Sequence, residues 1–490
     1  MRLLNGSVLS LAIIFTYLQA QEIAINSVSD ALAYGKVKGL VRYGMQHRDS
    51  NYHILQDAPT DTTENDIQAY SALGGYIGYE TAPFYNISIG TTIYTSNPVG
   101  SNPSDEMGLG GLYEANGEQE GYNVMGEAFV KFKNNKHLLK IGRQELADYR
   151  FVSLSNVRMT PFTHQGAIYE NSVLDNFKIN LAYLTSQKAR NATEFKDMVR
   201  SARVSTGCGE VNSIGECIDI SSKKKIRGDY NSKDYDNSGN YVGDDKDMPL
   251  IGIKYSKENY KLEVWDYYVN DFVNTLYLLG EYKINISNNW DFSLLAQYSN
   301  QQDVGGGVAG NVDTGFYGFK INANYLDNKI SIFSAYNSVD YNEESYDGGS
   351  IFVRWGTPQL FNSTQVQDAN LAGTESFGAG VQFDLGGLEI LDNTIIRFRH
   401  AMFNMPDELY MRDARQDRTE STFDLRYSFT KKSGFGVFTQ LDGLSIQFRV
   451  AYNDFKTDYD FEEYKRIHGY NPFSVTDDFL DARLTVDYIF

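Results

Sequence analysis

One repeated pattern constrains this chain more than any other feature. From residue 35 to the final residue, segments of alternating apolar and polar side chains recur, joined by connections sorted by length. A period of two gives an extended segment two unlike faces. Each segment is about the ten residues a tilted membrane strand needs. The pattern predicts strands at 35–45, 69–81, 84–95, 121–134, 136–145, 165–171, 175–187, 248–257, 259–269, 273–285, 288–299, 312–326, 328–338, 374–385, 388–403, 417–430, 441–454 and 476–490. The total is even, as closure of a bacterial barrel requires.

The connections say as much as the strands. Tight links such as Asn134-Asn135, Lys257-Glu258, Asp327-Asn328 and Gly386-Gly387 contrast with long ones at 46–68, 96–120, 146–164, 188–247 and 339–373. A soluble sandwich has no reason to sort its loops this way. A barrel inserted from one side does, with short periplasmic turns and long extracellular loops. The expected fold is therefore an all-β transmembrane antiparallel barrel of about eighteen strands. Near residue 317, Tyr317, Phe319, Ile321, Ala323 and Tyr325 share one face, and Lys320, Asn322 and Asn324 the other. The last segment sets Leu484, Val486, Tyr488 and Phe490 against Arg483, Thr485 and Asp487. Aromatic residues at many segment ends suit interfacial girdles.

Composition agrees. Mean hydropathy is −0.41, and alternation hides a barrel from any test for apolar helices. Residues 1–20 are different: Arg2, an apolar core through Leu11, Ile13, Ile14 and Phe15, then Leu18-Gln19-Ala20 read as a signal peptide cleaved after Ala20. Residues 21–34 follow as an N-terminal periplasmic segment, and 35–490 as one barrel domain. A net charge of −19 excludes nucleic acid as a natural partner. Cys208 and Cys217 share one polar segment, which in an exported chain suggests a local disulfide.

The connection 146–164 carries Tyr149, Phe151, Leu154, Met159 and Phe162 beside Asp148, Arg150 and Arg158. A free surface loop gains nothing from so many large apolar groups, whereas a loop folded into a barrel buries them. It is the expected constriction, with Asp148, Arg150, Asn156, Arg158 and Pro161 as its candidate residues, opposed charges there orienting zwitterions. Pro161 cannot donate to a ladder, so the segment is not a hidden strand.

If the apolar face meets lipid, the other face lines water. On the last four strands that face holds Arg397 and Arg399, then Arg426, Arg449 and Arg483; the first strand, beside them on closure, adds Lys36, Lys38 and Arg42. Asp424 and Asp487 share the face and offset part of this charge. The remaining basic track is a candidate binding path for anionic groups. The alternative is wall chemistry, in which lumenal acids pair with every arginine.

The stretch LLKIGRQELADYRFVSLSNVRMTPFTHQGAIYEN resembles the corresponding region of OprD-type outer-membrane porins. Their loop pattern, D/N-x-R-L/M-x-P-x-x-F-x-G, is matched by Asn156, Arg158, Met159, Pro161 and Gly166; His164 takes the aromatic position, with Phe162 nearby. RFRHAMF at 397–403 resembles the strand bearing part of that family's arginine ladder. The resemblance implies an eighteen-stranded monomeric channel whose third loop folds inward and whose ladder guides carboxylate-bearing solutes.

The connection 188–247 is long, polar and acidic. Asp234, Asp236 and Asp245 fall near the positions of a calcium loop, but the closing bidentate Glu is missing and a solvated acidic loop is the default. No cofactor is expected. The six histidines are scattered, with no hydrolase motif among them. The sequence thus points to a passive porin in the outer membrane of a Gram-negative cell. Its expected partners are outer-membrane lipid and lipopolysaccharide, small carboxylate-bearing solutes such as amino acids or organic acids, and the barrel-assembly machinery during insertion. The alternatives are a closed-lumen adhesin or receptor that binds through its loops, and a barrel hydrolase.

Overall fold

The computed structural model describes residues 24–54, 62–115, 117–202, 210–211, 217–218, 241–287, 289–342, 344–357, 359–406, 416–430, 441–456 and 474–490. Eighteen antiparallel strands form a closed barrel. In chain order they are β1 (Lys36–Ile54), β2 (Thr62–Glu80), β3 (Ile87–Pro98), β4 (Tyr122–Lys133), β5 (His137–Gln144), β6 (Thr163–Asn171), β7 (Phe177–Lys188), β8 (Met248–Lys257), β9 (Tyr260–Val269), β10 (Val273–Asn285), β11 (Trp290–Asp303), β12 (Asp313–Tyr325), β13 (Ile330–Val339), β14 (Glu375–Asp384), β15 (Thr394–Asn404), β16 (Arg418–Ser428), β17 (Leu444–Phe455) and β18 (Phe479–Ile489). Every strand pairs with its sequence neighbour, and β1 pairs with β18 from Leu40↔Ile489 to Asp49↔Leu480. Phe490 completes the seam by exchanging backbone hydrogen bonds with Gly39 at 3.0 and 3.1 Å. The Phe490 ring lies over Gly39, where a Cβ would come within 2.1 Å of it.

The two faces follow the alternation. Ile77, Ile141, Phe319, Ile321, Phe398 and Phe448 are exposed on the outside, as a lipid belt requires. The short connections gather at one end. Leu326, Asp327 and Asn328 turn the chain with positive φ, and Glu258 does the same between β8 and β9. A short helix, Val28–Ala33, capped by Ser27, sits at this end, where Ala82 N–H donates to the Ala31 carbonyl at 2.9 Å.

Two expected boundaries are corrected. Residues 46–54 and 62–68, expected as a loop, continue β1 and β2 in register from Gln46↔Tyr70 to Ile54↔Thr62. The sequence of this ribbon is polar at successive positions, as in Gln46, His47, Arg48, Asp49 and Ser50, so it lacks the alternation that marks the other strands. Residues 388–393, expected as the start of a strand, form part of a compact turn instead, and Gly386-Gly387 is not a tight link. Asp384 takes the N–H groups of Gly387 and Leu388 at 3.0 Å each, and the Leu385 carbonyl takes those of Ile390 and Leu391. Ile390 and Leu391 are apolar and exposed, which mimics a strand in sequence.

The barrel is not evenly filled. Trp265, Tyr267, Tyr277 and Phe316 project inward from β9, β10 and β12 and pack with Phe151, Val152, Phe352 and Trp355 from two connections. This apolar plug fills one side of the lumen. The opposite side, β15 to β18 and β1, keeps its polar and cationic groups.

Candidate functional site

The site begins with the connection 145–162. Tyr149, Phe151 and Val152 are almost fully buried in the plug, with Phe151 and Tyr277 edge to face at 5.5 Å. Around them the wall supplies donors to the loop's carbonyls. Tyr267 Oη donates to the Tyr149 carbonyl at 2.8 Å, and Lys188 Nζ to those of Pro161 (3.1 Å) and Ala189 (2.8 Å). Arg42 does the most. Its Nε and Nη2 each reach Asp487 at 2.7 Å, while Nη1 donates to the Arg158 carbonyl at 2.6 Å and to Asn156 Oδ1 at 3.0 Å. A bidentate, buried pair of this kind holds geometry strongly, and removing one partner costs about 3–5 kcal/mol.

A second connection, 340–374, also folds inward. Its Ile351, Phe352, Val353 and Trp355 are buried, and the Trp355 carbonyl accepts from Gln187 Nε2 at 2.8 Å and faces His164 Nε2 at 3.1 Å. Farther along, the fully buried carboxylate of Glu420 on β16 receives four donors from one short stretch. These are Thr364 Oγ1 at 2.6 Å and the backbone N–H groups of Gln365 (2.8 Å), Val366 (3.1 Å) and Gln367 (2.8 Å). Gln365 then spans to β18: its amide donates to Asp481 at 2.9 Å and its carbonyl accepts from Arg483 at 3.0 Å.

Between these connections and the basic wall lies a cavity of about 640 Å³. It is lined by the guanidinium-bearing residues Arg158, Arg190, Arg354, Arg449 and Arg483, with Glu114 and Asp368 as the lining carboxylates. A smaller pocket of about 30 Å³ is lined by Arg42, Tyr70, Asn156, Gln447 and Thr485 among others, and by Arg158 and Arg449 again. Those two arginines therefore stand where the wide space meets the narrow one.

Charge pairing is uneven across this surface. Arg42 is matched by Asp487. Arg48 and Arg483 share Asp481, at 3.0 and 2.6 Å. Arg449, opposite Arg483 in the β17–β18 register, makes no hydrogen bond or ion pair among the described residues, and its buried Nε has no acceptor. Arg158 donates to Gln46 Oε1 and has no carboxylate in contact. Burial, with help from the Arg483 and Arg190 charges, pushes the Arg158 guanidinium down to about 9. It remains a cation at neutral pH. Burial also raises the Asp368 carboxyl to about 6, against the pull of Arg190 and Arg354.

The other expected site residues are distributed as follows. Asp148 and Arg150 turn to the wall, pairing with Lys254 at 2.5 Å and with Glu263 through Nε at 2.8 Å, and line neither cavity. The opposed charges expected to orient zwitterions are thus clasps for the loop. Asn156 accepts from Arg42 through its carbonyl and its Oδ1, and Pro161 accepts from Lys188 through its carbonyl. Lys38 is paired with Glu127 at 2.5 Å. Arg397 donates to Gln382 at 3.0 Å and lies 3.4 Å from Asp424, while Arg399 donates to the Phe361 carbonyl at 2.8 Å. Arg426 is exposed and unpaired among the described residues. Cys208, Asp234, Asp236 and the Cys217 side chain lie outside the described residues, as does the signal segment 1–20. Asp245 is described and pairs with Arg200.

Sequence reasoning missed Glu420, Asp481, Arg190, Arg354 and Asp368. The signal available was Ile-Phe-Val-Arg-Trp at 351–355, an apolar run inside a long connection, the same argument that marked 146–164.

The comparisons with known proteins agree with this geometry. A sequence profile described as outer membrane porin, OprD family, matches residues 100–471. Among curated proteins no sequence match was found. In structure, the chain is similar to OccK9 (OpdG) of Pseudomonas aeruginosa, with 16% identity and a TM-score of 0.65 over 94% of this chain and 99% of that one. It is similar to OpdK of the same organism, crystallised with vanillate, with 16% identity and a TM-score of 0.64 over 94% and 99%. OccAB4 of Acinetobacter baumannii gives 14% identity and a TM-score of 0.63 over 92% and 98%. With its closed barrel, inward connections and profile match over most of its length, the chain belongs to the OprD family of outer membrane porins.

Proposed function

We propose that this porin favours solutes bearing a carboxylate, which cross by passive diffusion along the β15–β18 and β1 side of the lumen. The observation that carries the reading is the position of Arg158 and Arg449 at the junction of the two cavities, with no carboxylate in contact with either. Both cations feel the repulsion of the Arg483 charge, and a passing carboxylate relieves that repulsion while replacing its lost hydration. The 640 Å³ space suits a small organic acid. OpdK, similar in fold, was crystallised with vanillate, itself a carboxylate, which is of the same chemical kind. Arg397, Arg399 and Arg426, toward the short-turn end, offer weaker onward contacts, and none has a bidentate carboxylate partner that would withdraw it.

The test is conductance and reversal potential of the purified protein in planar bilayers. Discrete open-channel steps with anion preference are expected, and Arg158→Gln with Arg449→Gln should remove most of that preference. A wild-type channel that prefers cations, or a double variant with unchanged selectivity, would overturn the carboxylate reading. A lumen that never conducts would favour a receptor barrel instead.

A further inference from the structure

We infer that Glu420 is a positioning residue for selectivity, a latch that holds the connection 340–374 against the basic wall and so sets the width and charge of the cavity. The inference rests on the channel reading above. Glu420 touches no lining cation directly; its partners are Thr364, Gln365, Val366 and Gln367, consecutive residues that it binds through both oxygens. A stretch presenting several free N–H groups toward one point is built to take a negative charge. Here that charge comes from the wall, and one side chain takes three of the stretch's backbone N–H groups.

What the latch controls follows from the neighbours. Ser363, Thr364, Gln365 and Val366 line the cavity. Gln365 bonds to Asp481 and Arg483, so it helps fix the pair that takes Arg483 out of the free cation population. Gln367 Nε2 adds a tie to Asn453 of β17 at 2.9 Å. Earlier in the connection, Phe361 lies over Lys320, with ring and ammonium 5.9 Å apart, and its carbonyl holds Arg399. Release of 364–367 would therefore widen the cavity and let water reach the cations that now work at close range.

Glu420→Gln separates this role from plain charge. An amide presents N–H groups where one carboxylate oxygen accepts, so at least one backbone donor loses its partner. If Glu420 acted only as a lumenal negative charge, removing it would raise anion preference and leave conductance alone. If it is a latch, conductance should rise about twofold and anion-over-cation permeability should fall by a similar factor, because a wider, wetter passage screens its charges. Planar-bilayer recording of the purified, folded barrel reads both quantities. Glu420→Asp, which keeps the charge but shortens the reach, should shift both in the same directions. Should Glu420→Gln not assemble, Thr364→Val removes one donor without altering a strand and should show the same signs at smaller amplitude. Unchanged conductance with higher anion preference in Glu420→Gln, or wild-type behaviour in Thr364→Val, overturns the latch. A wild-type channel without anion preference would fail the carboxylate reading instead, leaving the conductance result to judge the latch.

Discussion

The two inward connections narrow the same lumen, and one stretch of the second is anchored in a way the first is not. Residues 145–162 are held mainly through their carbonyl oxygens, by Arg42, Lys188, Lys254 and Tyr267 of the wall. Residues 364–367 of the other connection are held through their N–H groups, by the carboxylate of Glu420. The difference decides what is left over. Wall cations bound to carbonyls leave the first loop's own Arg158 facing the passage, whereas the wall carboxylate of Glu420 is enclosed by four neutral donors and contacts no lining cation. Arg158 and Arg449 are thereby left without a carboxylate in contact.

The contrast is sharpest at Arg158 and Arg449. Replacing both with Gln should lower anion-over-cation permeability about tenfold, equivalent to about 1.4 kcal/mol in relative binding, read as the reversal potential in a salt gradient. Retained selectivity would overturn the carboxylate reading. The next effect belongs to the cationic anchor. Arg42→Ala leaves the partly buried Asp487 without its partner and frees the Asn156 and Arg158 carbonyls. A loss of about 3–5 kcal/mol is expected, seen as a lower denaturation midpoint in the gel-shift assay of barrel folding, together with noisier open-channel current. A stable, quiet channel would mean the first connection holds itself in place by apolar packing alone.

Smaller effects test the edges of the comparison. Raising acidity from pH 7.5 to pH 5 protonates Asp368, whose carboxyl burial lifts to about 6. The cavity then gains one positive charge, so anion preference should rise by about twofold. Asp368→Asn should show the higher value at both pH values and remove the dependence. Least affected is Asp148→Asn. Its side chain is 62% exposed, so its bond to Lys254 is worth about 0–1 kcal/mol and selectivity should not move. A marked change in permeability would return Asp148 to the passage.

Much of this was legible in the chain itself. Alternation located every barrel strand, because lipid on one side and water on the other force a period of two wherever the wall crosses the membrane. It failed at 46–54 and 62–68, where polar residues follow one another in β1 and β2, and at 388–393, where apolar residues bend rather than extend. The inward connection 146–164 was visible through Tyr149, Phe151 and Met159. The roles of its charges were not, since a residue's partner across the lumen depends on register between strands far apart in sequence. Asp148 and Arg150 look like filter groups until Lys254 and Glu263 stand opposite them. Glu420 is one acid among many in a chain of net charge −19, and only the fold sets it beneath four donors.

Asp481 gathers Gln46 and Arg48 from the first strand, Arg483 from its own strand and Gln365 from the second inward connection. Gln46 and Arg48 cannot reach it until the first and last strands lie side by side. This corner of the passage is thus completed only when the barrel closes, and a half-sealed barrel would lack it. Any machinery that inserts this protein has reason to keep it shielded from both compartments until the final hairpin is in place.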